Sequence, residues 1–507
     1  MTHYLLSLLL CPVIYSADPP QEPSYLRPGS PESGGIRHLC LIYHGQKRRV
    51  AWTMEAILPY VAYIDEKRRP VDGLFDSFLF MEFATDQGAS LCHEGEDKGD
   101  ARPTAADWKW LAEAWFRPTT GLVGLEKAVT HAGKILGQPD HTANVVISLP
   151  IPRSSLKQFG PLPGQQKQLD FSNQADRRQA LTWHIEEVLA RWKHGDYPHL
   201  RLLGFYWTAE STLPEDNDLI RWTSQSLHSR QLKLYWIPYL GAEGFSGWRE
   251  RGLDAVLLQP GYFFAPSPEP HRLLSAAKQA KRQGWGLEVE VDTRALSSAD
   301  LRDRFRDYLD AGVEYGWMND SVVGWYEGGD GIKLFAETPG AGRELYTDVY
   351  RFIKKKYTST GRLKLPKLTL ISRDNRDNLA LASKGARITG CVRPKDNPAL
   401  APEKIIDGQL DFYAGTSEFG YCEIPGSFTI ELPEATTLAR TQMLLWDLDG
   451  RWFQYRIETS PDNQRWELAV DKSKGQWSGW QVDRFAPRTA RYIRVTPLHN
   501  SVGQMLF

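Results

Sequence analysis

GLEVEVD, residues 286–292, alternates three acids with three aliphatic residues. Successive side chains of a β-strand point to opposite faces, so a strand here places Glu288, Glu290 and Asp292 on one face. An unpaired carboxylate in a packed interior is costly, and a chain keeps one there when it is paired, hydrated or used in chemistry. The stretch therefore predicts a strand whose acidic face serves a purpose other than packing.

Seven other short apolar stretches also have the length of a strand, and amphipathic stretches such as 179–193 and 273–282 lie between several of them. The eight predicted strands are 38–44, 73–81, 144–151, 200–207, 231–239, 254–261, 286–292 and 321–328. Eight strands alternating with helices over about 300 residues predict an α/β fold, a (β/α)8 TIM-like barrel, whose usual length is about 250 residues. The aliphatic face of GLEVEVD then suits the helix layer, and its acids face the barrel axis.

The rest of the chain divides around this barrel. The predicted segments are a signal peptide (1–17), a linker (18–36), the barrel (37–357), a second linker (358–377) and an all-β sandwich (378–507), which has short alternating strands without helices. The apolar run before Ser16-Ala17 is typical of a secretory signal, and Cys11 leaves a lipoprotein signal and an N-terminal lipid anchor open. We expect a secreted, periplasmic or cell-surface protein without a membrane span.

Composition argues against several classes of function. The net charge is −1 and no long basic stretch occurs, so a nucleic-acid surface is not expected. The 5 Cys form no CxxC pair and the 12 His form no HxH or HExxH motif, which argues against a transition-metal hydrolase. The chain has 18 Trp and 21 Tyr, whose flat rings can stack on sugars when they do not belong to the core.

The predicted strand ends carry a pair of acids suited to glycoside hydrolysis. Residues at the C-terminal ends of barrel strands line the active site, and hydrolysis of a glycosidic bond uses two carboxyl groups. Glu210 follows the fourth strand and Glu290 lies near the end of the seventh. This placement resembles that of a large glycosidase clan and implies Glu210 as general acid/base and Glu290 as nucleophile, although Ala209 stands where that clan usually has Asn. Glu288 lies deeper, and either a direct role or the orientation of a neighbour fits it.

Other polar and aromatic residues near predicted strand ends are candidate substrate-binding residues, and their accumulation at one face favours a ligand site. They are Tyr206, Trp207, Tyr239, Gln259, Tyr262, Glu288, Tyr326, Glu327 and Asp76. Each alone also fits an ordinary structural role. Asp292, at the rim, is better explained as a solvated or helix-capping acid.

The barrel region resembles a bacterial family catalogued as domain of unknown function 4855. The matching stretches include WTMEAILPYVAYID, GLFDSFLFMEF, GFYWTAE, YWIPYLGAEGFSGWRE, LDAVLLQPGYFF, GLEVEVD and YLDAGVEYGWMNDSVVGWYEGG. The resemblance covers about residues 37–356. It implies a glycosidase-like barrel and names no substrate.

The C-terminal region resembles a discoidin-like, coagulation-factor type C domain, similar to family 32 carbohydrate-binding modules. The matching stretches include IIDG (405–408), FTIEL (428–432), YRIETSPD (455–462) and ARYIRV (490–495). The resemblance implies an all-β discoidin-like jelly-roll sandwich and a possible structural calcium at Asp407 or Asp411, for which solvated turn acids are the alternative. Phe412, Tyr413 and Trp446 could stack on sugar or belong to the core, and a Cys391–Cys422 disulfide is left open.

These features favour a glycoside hydrolase that acts on a complex polysaccharide or glycan by a two-carboxylate mechanism, with a C-terminal carbohydrate-binding module. Such a mechanism requires no cofactor. The alternative is a non-catalytic glycan-binding surface protein on a degenerate barrel, and a polysaccharide lyase fits the acid pair less well. The two main hypotheses differ in whether Glu210 and Glu290 converge on one pocket or are each held by Arg or Lys.

Overall fold

Eight parallel strands close a barrel in the computed structural model of the chain. They are β1 (His38–Tyr43), β2 (Ser77–Met81), β3 (Ala143–Leu149), β4 (Leu200–Trp207), β5 (Lys233–Trp236), β6 (Ala255–Leu258), β7 (Gly286–Glu290) and β8 (Val323–Tyr326). β1 closes the ring by pairing in parallel with both β2 and β8. Each of the eight predicted strands contributes to this ring. The structure describes residues 23–92, 102–244, 247–266, 268, 270–365, 368, 378–390, 392–394, 402–408, 420–445 and 451–502.

Helices alternate with these strands. They are α1 (Met54–Val61), α2 (Ala105–Ala114), α3 (Leu122–Ile135), α4 (Gln174–His194), α5 (Asn217–His228), α6 (Pro270–Gln283), α7 (Ala299–Glu314), α8 (Trp317–Asp320), α9 (Gly331–Glu337) and α10 (Ala341–Ile353). Local signals fix several of their starts: the Ser298 hydroxyl accepts the Leu301 N–H at 3.3 Å at the start of α7. Small two-stranded pairs, Ala62–Ile64 with Pro70–Gly73 and Gly160–Pro161 with Gln168–Leu169, lie in the connections.

The barrel wall separates two apolar clusters. Leu287, Val289 and Val291 belong to the large cluster between strands and helices. A smaller cluster fills the barrel interior and includes Leu39, Leu41, Tyr43, Leu79, Met81, Val146, Tyr206, Tyr235 and Leu257, with Tyr326 packed against it. In β7 the residues between the three aliphatics pair with Gly324 and Tyr326 of β8. The alternation predicted for GLEVEVD is therefore confirmed.

β4 contains a bulge that changes which side chains face the interior. Val145 of β3 pairs with Leu202 and the next residue, Val146, pairs with Gly204, so Leu203 is an extra residue. Gly204 is needed for close packing, because a Cβ at this position would lie 2.0 Å from the backbone oxygen of Lys233. Beyond the bulge, Tyr206 belongs to the interior cluster.

The C-terminal region is all-β. Its strands are β9 (Arg387–Gly390), β10 (Val392–Pro394), β11 (Gly420–Cys422), β12 (Phe428–Leu444), β13 (Phe453–Ser460), β14 (Glu467–Trp477) and β15 (Trp480–Asn500). Five of them form an antiparallel sheet in the order β9-β12-β15-β13-β14, and β10 pairs with β11. A separate apolar cluster, with Tyr455, Ile457 and Ala490 among its members, packs this region.

Several expectations for the C-terminal region and the N-terminus fall on residues outside the described ranges. They are the signal peptide with Cys11, and Cys391, Asp411, Phe412, Tyr413 and Trp446. Cys422 is disulfide-bonded. Within the described ranges, no cluster of three or more His, Cys, Asp or Glu side chains could hold a metal ion, and Asp407 belongs to none. In the same ranges, no helix has both the length and the apolar composition needed to cross a bilayer.

Candidate active site at the barrel mouth

Glu288 lies inside the barrel, where it is 2% exposed. Its Oε1 atom has no hydrogen-bond partner among the described residues. Burial raises the pKa of Glu288 well above its ordinary value, and the negative charges of Glu290 and Glu210 raise it further. This setting favours the neutral carboxyl group, which can donate a hydrogen bond.

Glu290 lies at the end of β7, opposite Tyr326 in the strand register. Its Oε2 atom accepts a hydrogen bond from the hydroxyl of Tyr308, which α7 carries. Burial raises the pKa of Glu290 to about 7, whereas Tyr308, the backbone N–H groups of Gly261 and Tyr262, and the charge of Arg272 act in the opposite direction. The groups around Glu290 therefore favour its ionised form, although burial disfavours it.

Glu210 follows β4 and is partly exposed. Its Oε1 atom accepts a hydrogen bond from Nε2 of Gln259 at 3.2 Å, and the same nitrogen donates to the backbone oxygen of Ile237 at 2.9 Å. The charge of Glu210 raises the pKa of both Tyr206 and Glu288. Glu288 is thus close enough to interact with both Glu290 and Glu210, and within the described part of the chain none of the three forms an ion pair with Lys or Arg.

Aromatic rings surround these acids at the C-terminal ends of the strands, the end called here the barrel mouth. Tyr43 and Tyr326 pack edge to face with ring centroids 6.0 Å apart, and Phe264 packs in the same way against Tyr326 at 5.6 Å. Phe264 and Tyr239 are each 42% exposed. Exposed rings beside buried carboxyl groups are the surfaces on which a sugar chain can stack.

An Arg–Glu pair forms one side of the mouth. Arg49 donates from Nε and from a terminal nitrogen to the two carboxylate oxygens of Glu82, each at 2.9 Å. Its guanidinium lies 4.5 Å from the centre of the Tyr43 ring. Glu82 directly follows β2, but nothing near Arg49 in the sequence marks it, because the loop after β1 has no periodic pattern.

Two predicted substrate-binding residues face the helices instead of the mouth. Trp207 is fully buried in the cluster between strands and helices, because the bulge in β4 sends Tyr206 inward and its neighbour outward. Tyr262 also belongs to this cluster, and its hydroxyl donates to Oδ2 of Asp307 at 2.8 Å. Neither side chain faces the mouth as expected, and Tyr262 approaches Glu290 through its backbone N–H.

Asp76 and Glu327 are also not part of the mouth. β2 begins at Ser77, so Asp76 lies at the opposite end of the barrel, where it accepts the N–H groups of Arg37 and His38 at 3.0 and 2.7 Å. Glu327 faces the helix layer and accepts hydrogen bonds from the Tyr60 hydroxyl at 2.8 Å and from two backbone N–H groups at the start of α9. Asp292 caps the short helix that follows β7, as expected.

The buried carboxyl group of Glu327 should make the stability of the fold depend on pH. Burial raises its pKa to about 7, so between the unfolded value near 4.5 and this value the folded state binds more protons. The unfolding free energy that Glu327 contributes is fully present below its unfolded pKa of 4.5 and is lost as pH rises through its folded pKa of about 7. Between about pH 5 and pH 8, we expect wild type to lose up to about 3 kcal/mol more unfolding free energy than Glu327→Gln. Urea unfolding of both proteins across this range measures the difference, and parallel curves would contradict it.

The barrel region and the C-terminal region each match a known protein family. Residues 38–351 match the family described as Domain of unknown function (DUF4855). The chain belongs to this family. In this family member, residues 393–506 match the F5/8 type C domain. Both resemblances seen in the sequence are thereby confirmed.

Curated relatives of this DUF4855 protein share only a segment with it. BTB/POZ domain-containing protein 9 of Bos taurus is 25% identical over 121 residues, which are 24% of this chain and 20% of the relative. The Drosophila melanogaster protein of the same name is 25% identical over 143 residues, 28% of this chain and 19% of the relative. The chain thus spans about a fifth of the length of these relatives.

Several solved structures that are similar to about a quarter of the DUF4855 protein are carbohydrate-binding modules. The CBM32 of AlyQ in complex with 4,5-unsaturated mannuronic acid is 24% identical with a TM-score of 0.20, over 24% of this chain and 86% of that one. A Clostridium perfringens module in complex with GalNAc-beta-1,3-galactose is 16% identical with a TM-score of 0.21, over 24% and 91%. A chitosan-binding module from Paenibacillus sp. IK-5, in complex with chitotriose, is 16% identical with a TM-score of 0.20, over 25% and 93%.

Proposed function

We propose that the chain is a glycoside hydrolase whose barrel is of the TIM type and cleaves a complex polysaccharide or glycan. One observation carries the proposal: Glu288 and Glu290 alternate with outward aliphatics on β7, Glu210 is held at the mouth by Gln259, and none of the three forms an ion pair with Lys or Arg in the described part of the chain. Structural acids in this interior have partners for their oxygens, as Glu82 has Arg49 and Glu327 has Tyr60 and two backbone N–H groups, whereas Oε1 of Glu288 has none among the described residues. Acids kept without such partners are available for chemistry.

The surroundings of each acid support a division of roles. Glu290 accepts a hydrogen bond from Tyr308 and is fixed in place, which suits a nucleophile or base. Glu210 is partly exposed and is held by the neutral amide of Gln259, which suits a residue that gives and takes a proton next to water. Glu288 has an oxygen without a hydrogen-bond partner among the described residues, and in this proposal it binds a substrate hydroxyl.

The C-terminal F5/8 type C domain has a place in the same proposal. The similar modules named above were solved with sugars bound, and we propose that this domain holds the barrel on its carbohydrate polymer. The polymer is then the partner of both domains, and the protein acts outside the cytoplasm. Catalysis by the two carboxyl groups requires no cofactor.

A release assay tests the proposal. Purified protein is incubated with plant, microbial and host glycans, and reducing ends and product masses are measured, with Glu290→Gln as the control. Product from wild type and none from the variant supports a hydrolase and names its substrate class. Glycan binding without product from any member of the panel favours the non-catalytic binding protein.

The pH dependence of kcat/KM distinguishes the roles of the two acids. The groups that face Glu290 are Glu288 on its own strand, Tyr308 on α7 and Arg272 on α6, and the resulting pKa is about 7. A nucleophile must be ionised, so we expect kcat/KM to rise with pH through a midpoint near this value. A decrease through the same midpoint would instead assign Glu290 as the proton donor and exchange its role with that of Glu210.

A further inference from the structure

The chain folds back onto α7 after the last barrel helix. In residues 357–362, called here the exit segment, the Tyr357 hydroxyl donates to Oδ1 of Asp310 at 3.1 Å. The N–H of Thr360 donates to the same oxygen at 2.9 Å, and its hydroxyl donates to Oδ2 at 2.5 Å. Asp310 is buried, so these bonds fix the exit segment against the helix.

Arg362, at the end of the exit segment, reaches the next acid along α7. A terminal nitrogen of Arg362 forms an ion pair with Oδ1 of Asp307 and also donates to the backbone oxygen of Asp303 at 3.2 Å. Asp307 is 2% exposed, and its other oxygen accepts the hydroxyl of Tyr262. Arg362 is therefore the cation that stabilises a buried carboxylate holding the loop after β6.

α7 holds this loop, residues 260–265, at further points. The hydroxyl of Tyr308, next to Asp307 in the helix, accepts the N–H of Tyr262 at 3.0 Å and donates to Glu290. Arg304 donates to the backbone oxygens of Phe263 and Ala265 at 3.2 and 2.6 Å. The donors around Glu290 are thus set by the position of the loop against α7.

We propose that Arg362 is a positioning residue that holds Glu290 in place through Asp307, Tyr262 and Tyr308. The expected effect of Arg362 on catalysis rests on the proposed function. The contacts that connect the exit segment to the loop after β6 do not depend on it. The physical reason is that loss of Arg362 leaves Asp307 buried beside Asp310 without its cation. Either Asp307 becomes protonated or the side chain moves toward water, and in both cases its bond with Tyr262 changes.

Hydrogen exchange tests the connection without any substrate. In Arg362→Met we expect the amides of Tyr262 and Phe263, which face the Tyr308 hydroxyl, to exchange about tenfold faster than in wild type. The control is Arg68→Met, because Arg68 is also 42% exposed and forms an ion pair, with Glu337 on α9. Unchanged exchange in residues 260–265 of a folded Arg362→Met protein would overturn the proposal, whereas Arg362→Lys, which keeps the cation, should exchange at a rate between those of Arg362→Met and wild type.

Kinetics test the consequence for Glu290. We expect Arg362→Met to lower kcat about tenfold with little change in KM, because misplacement of a catalytic group affects the reaction more than binding. The midpoint of the rise in kcat/KM should move to higher pH, since donors that lower the pKa of Glu290 are lost. Arg362→Lys should restore part of kcat, and Arg362→Met should have no further effect in an Asp307→Asn background.

The outcomes separate the two proposals. Faster exchange in Arg362→Met, together with normal turnover in Glu290→Gln, would retain the connection and overturn the assigned role of Glu290. Alternatively, Arg362→Met could exchange as slowly as wild type and keep the wild-type pH profile while Glu290→Gln is inactive. This result would retain the hydrolase and overturn the positioning role of Arg362.

Discussion

Replacing Glu290 by Gln is expected to lower kcat by about 10³–10⁴-fold on any substrate that the wild-type protein cleaves. Gln has nearly the same size and its amide oxygen can still accept the hydrogen bond from Tyr308. It cannot ionise, so it serves neither as a nucleophile nor as a base. The fold should persist, because the substitution removes no apolar packing and breaks no ion pair with Lys or Arg among the described residues.

Glu327→Gln is the matched control for this substitution. Glu327 is also a buried glutamate whose pKa burial raises to about 7, but it faces α1 and α9 instead of the barrel interior. We expect its turnover to stay within a few-fold of wild type at a temperature where both proteins are folded. An equal loss in the two variants would mean that Glu290, like Glu327, is only a structural acid.

Glu210→Gln should show a second large effect, which depends on the leaving group. A general acid protonates the departing oxygen, so its loss should cost about 10²–10⁴-fold in kcat/KM for a natural glycoside. An aryl glycoside with a very acidic phenol leaves without protonation, and for this substrate the first step should be nearly unaffected. The measurement compares kcat/KM of wild type and variant on both types of substrate, once the release assay has identified the sugar.

A matched substitution makes the leaving-group test specific. Gln259→Leu removes the amide that holds Glu210 but leaves the carboxyl group in place. It should lower kcat/KM by a similar factor for both types of substrate, because it changes the position of Glu210 and not its ability to donate a proton. If Glu210→Gln lowered kcat/KM by the same factor for both types of substrate, Glu210 would not be the proton donor.

Much of the barrel could be predicted from the sequence, because period-two alternation and strand length are local properties. GLEVEVD is the clearest case: its aliphatics pack against helices, and Glu288 and Glu290 alternate with them on the inward face. The same reasoning placed Asp76 at the wrong end of β2, because the end at which a residue lies depends on where the strand begins. Asp76 precedes the first paired residue of β2, and this places it at the wrong end of the barrel for substrate binding.

The contacts that set the chemistry of the mouth could not be predicted, because they join residues far apart in the chain. Tyr308 reaches Glu290 from the following helix, Arg49 reaches Glu82 from the preceding loop, and Arg362 reaches Asp307 from beyond the last barrel helix. No local periodicity marks such partners. Sequence reasoning can identify the acids of a barrel strand, but their partners follow only from the packing of helices and loops around it.

The extra residue in β4 also determines how this protein should be compared with others of its family. Leu203 shifts the strand by one position. As a result, the ring of Tyr206 and not that of Trp207 points into the barrel at the C-terminal end of β4. A homologue one residue shorter at this point would turn the side chain equivalent to Trp207 toward the barrel interior, with every other strand unchanged. A single insertion or deletion beside Gly204 therefore changes which aromatic ring lines the barrel, and an alignment that misplaces this gap would compare residues from opposite sides of the wall.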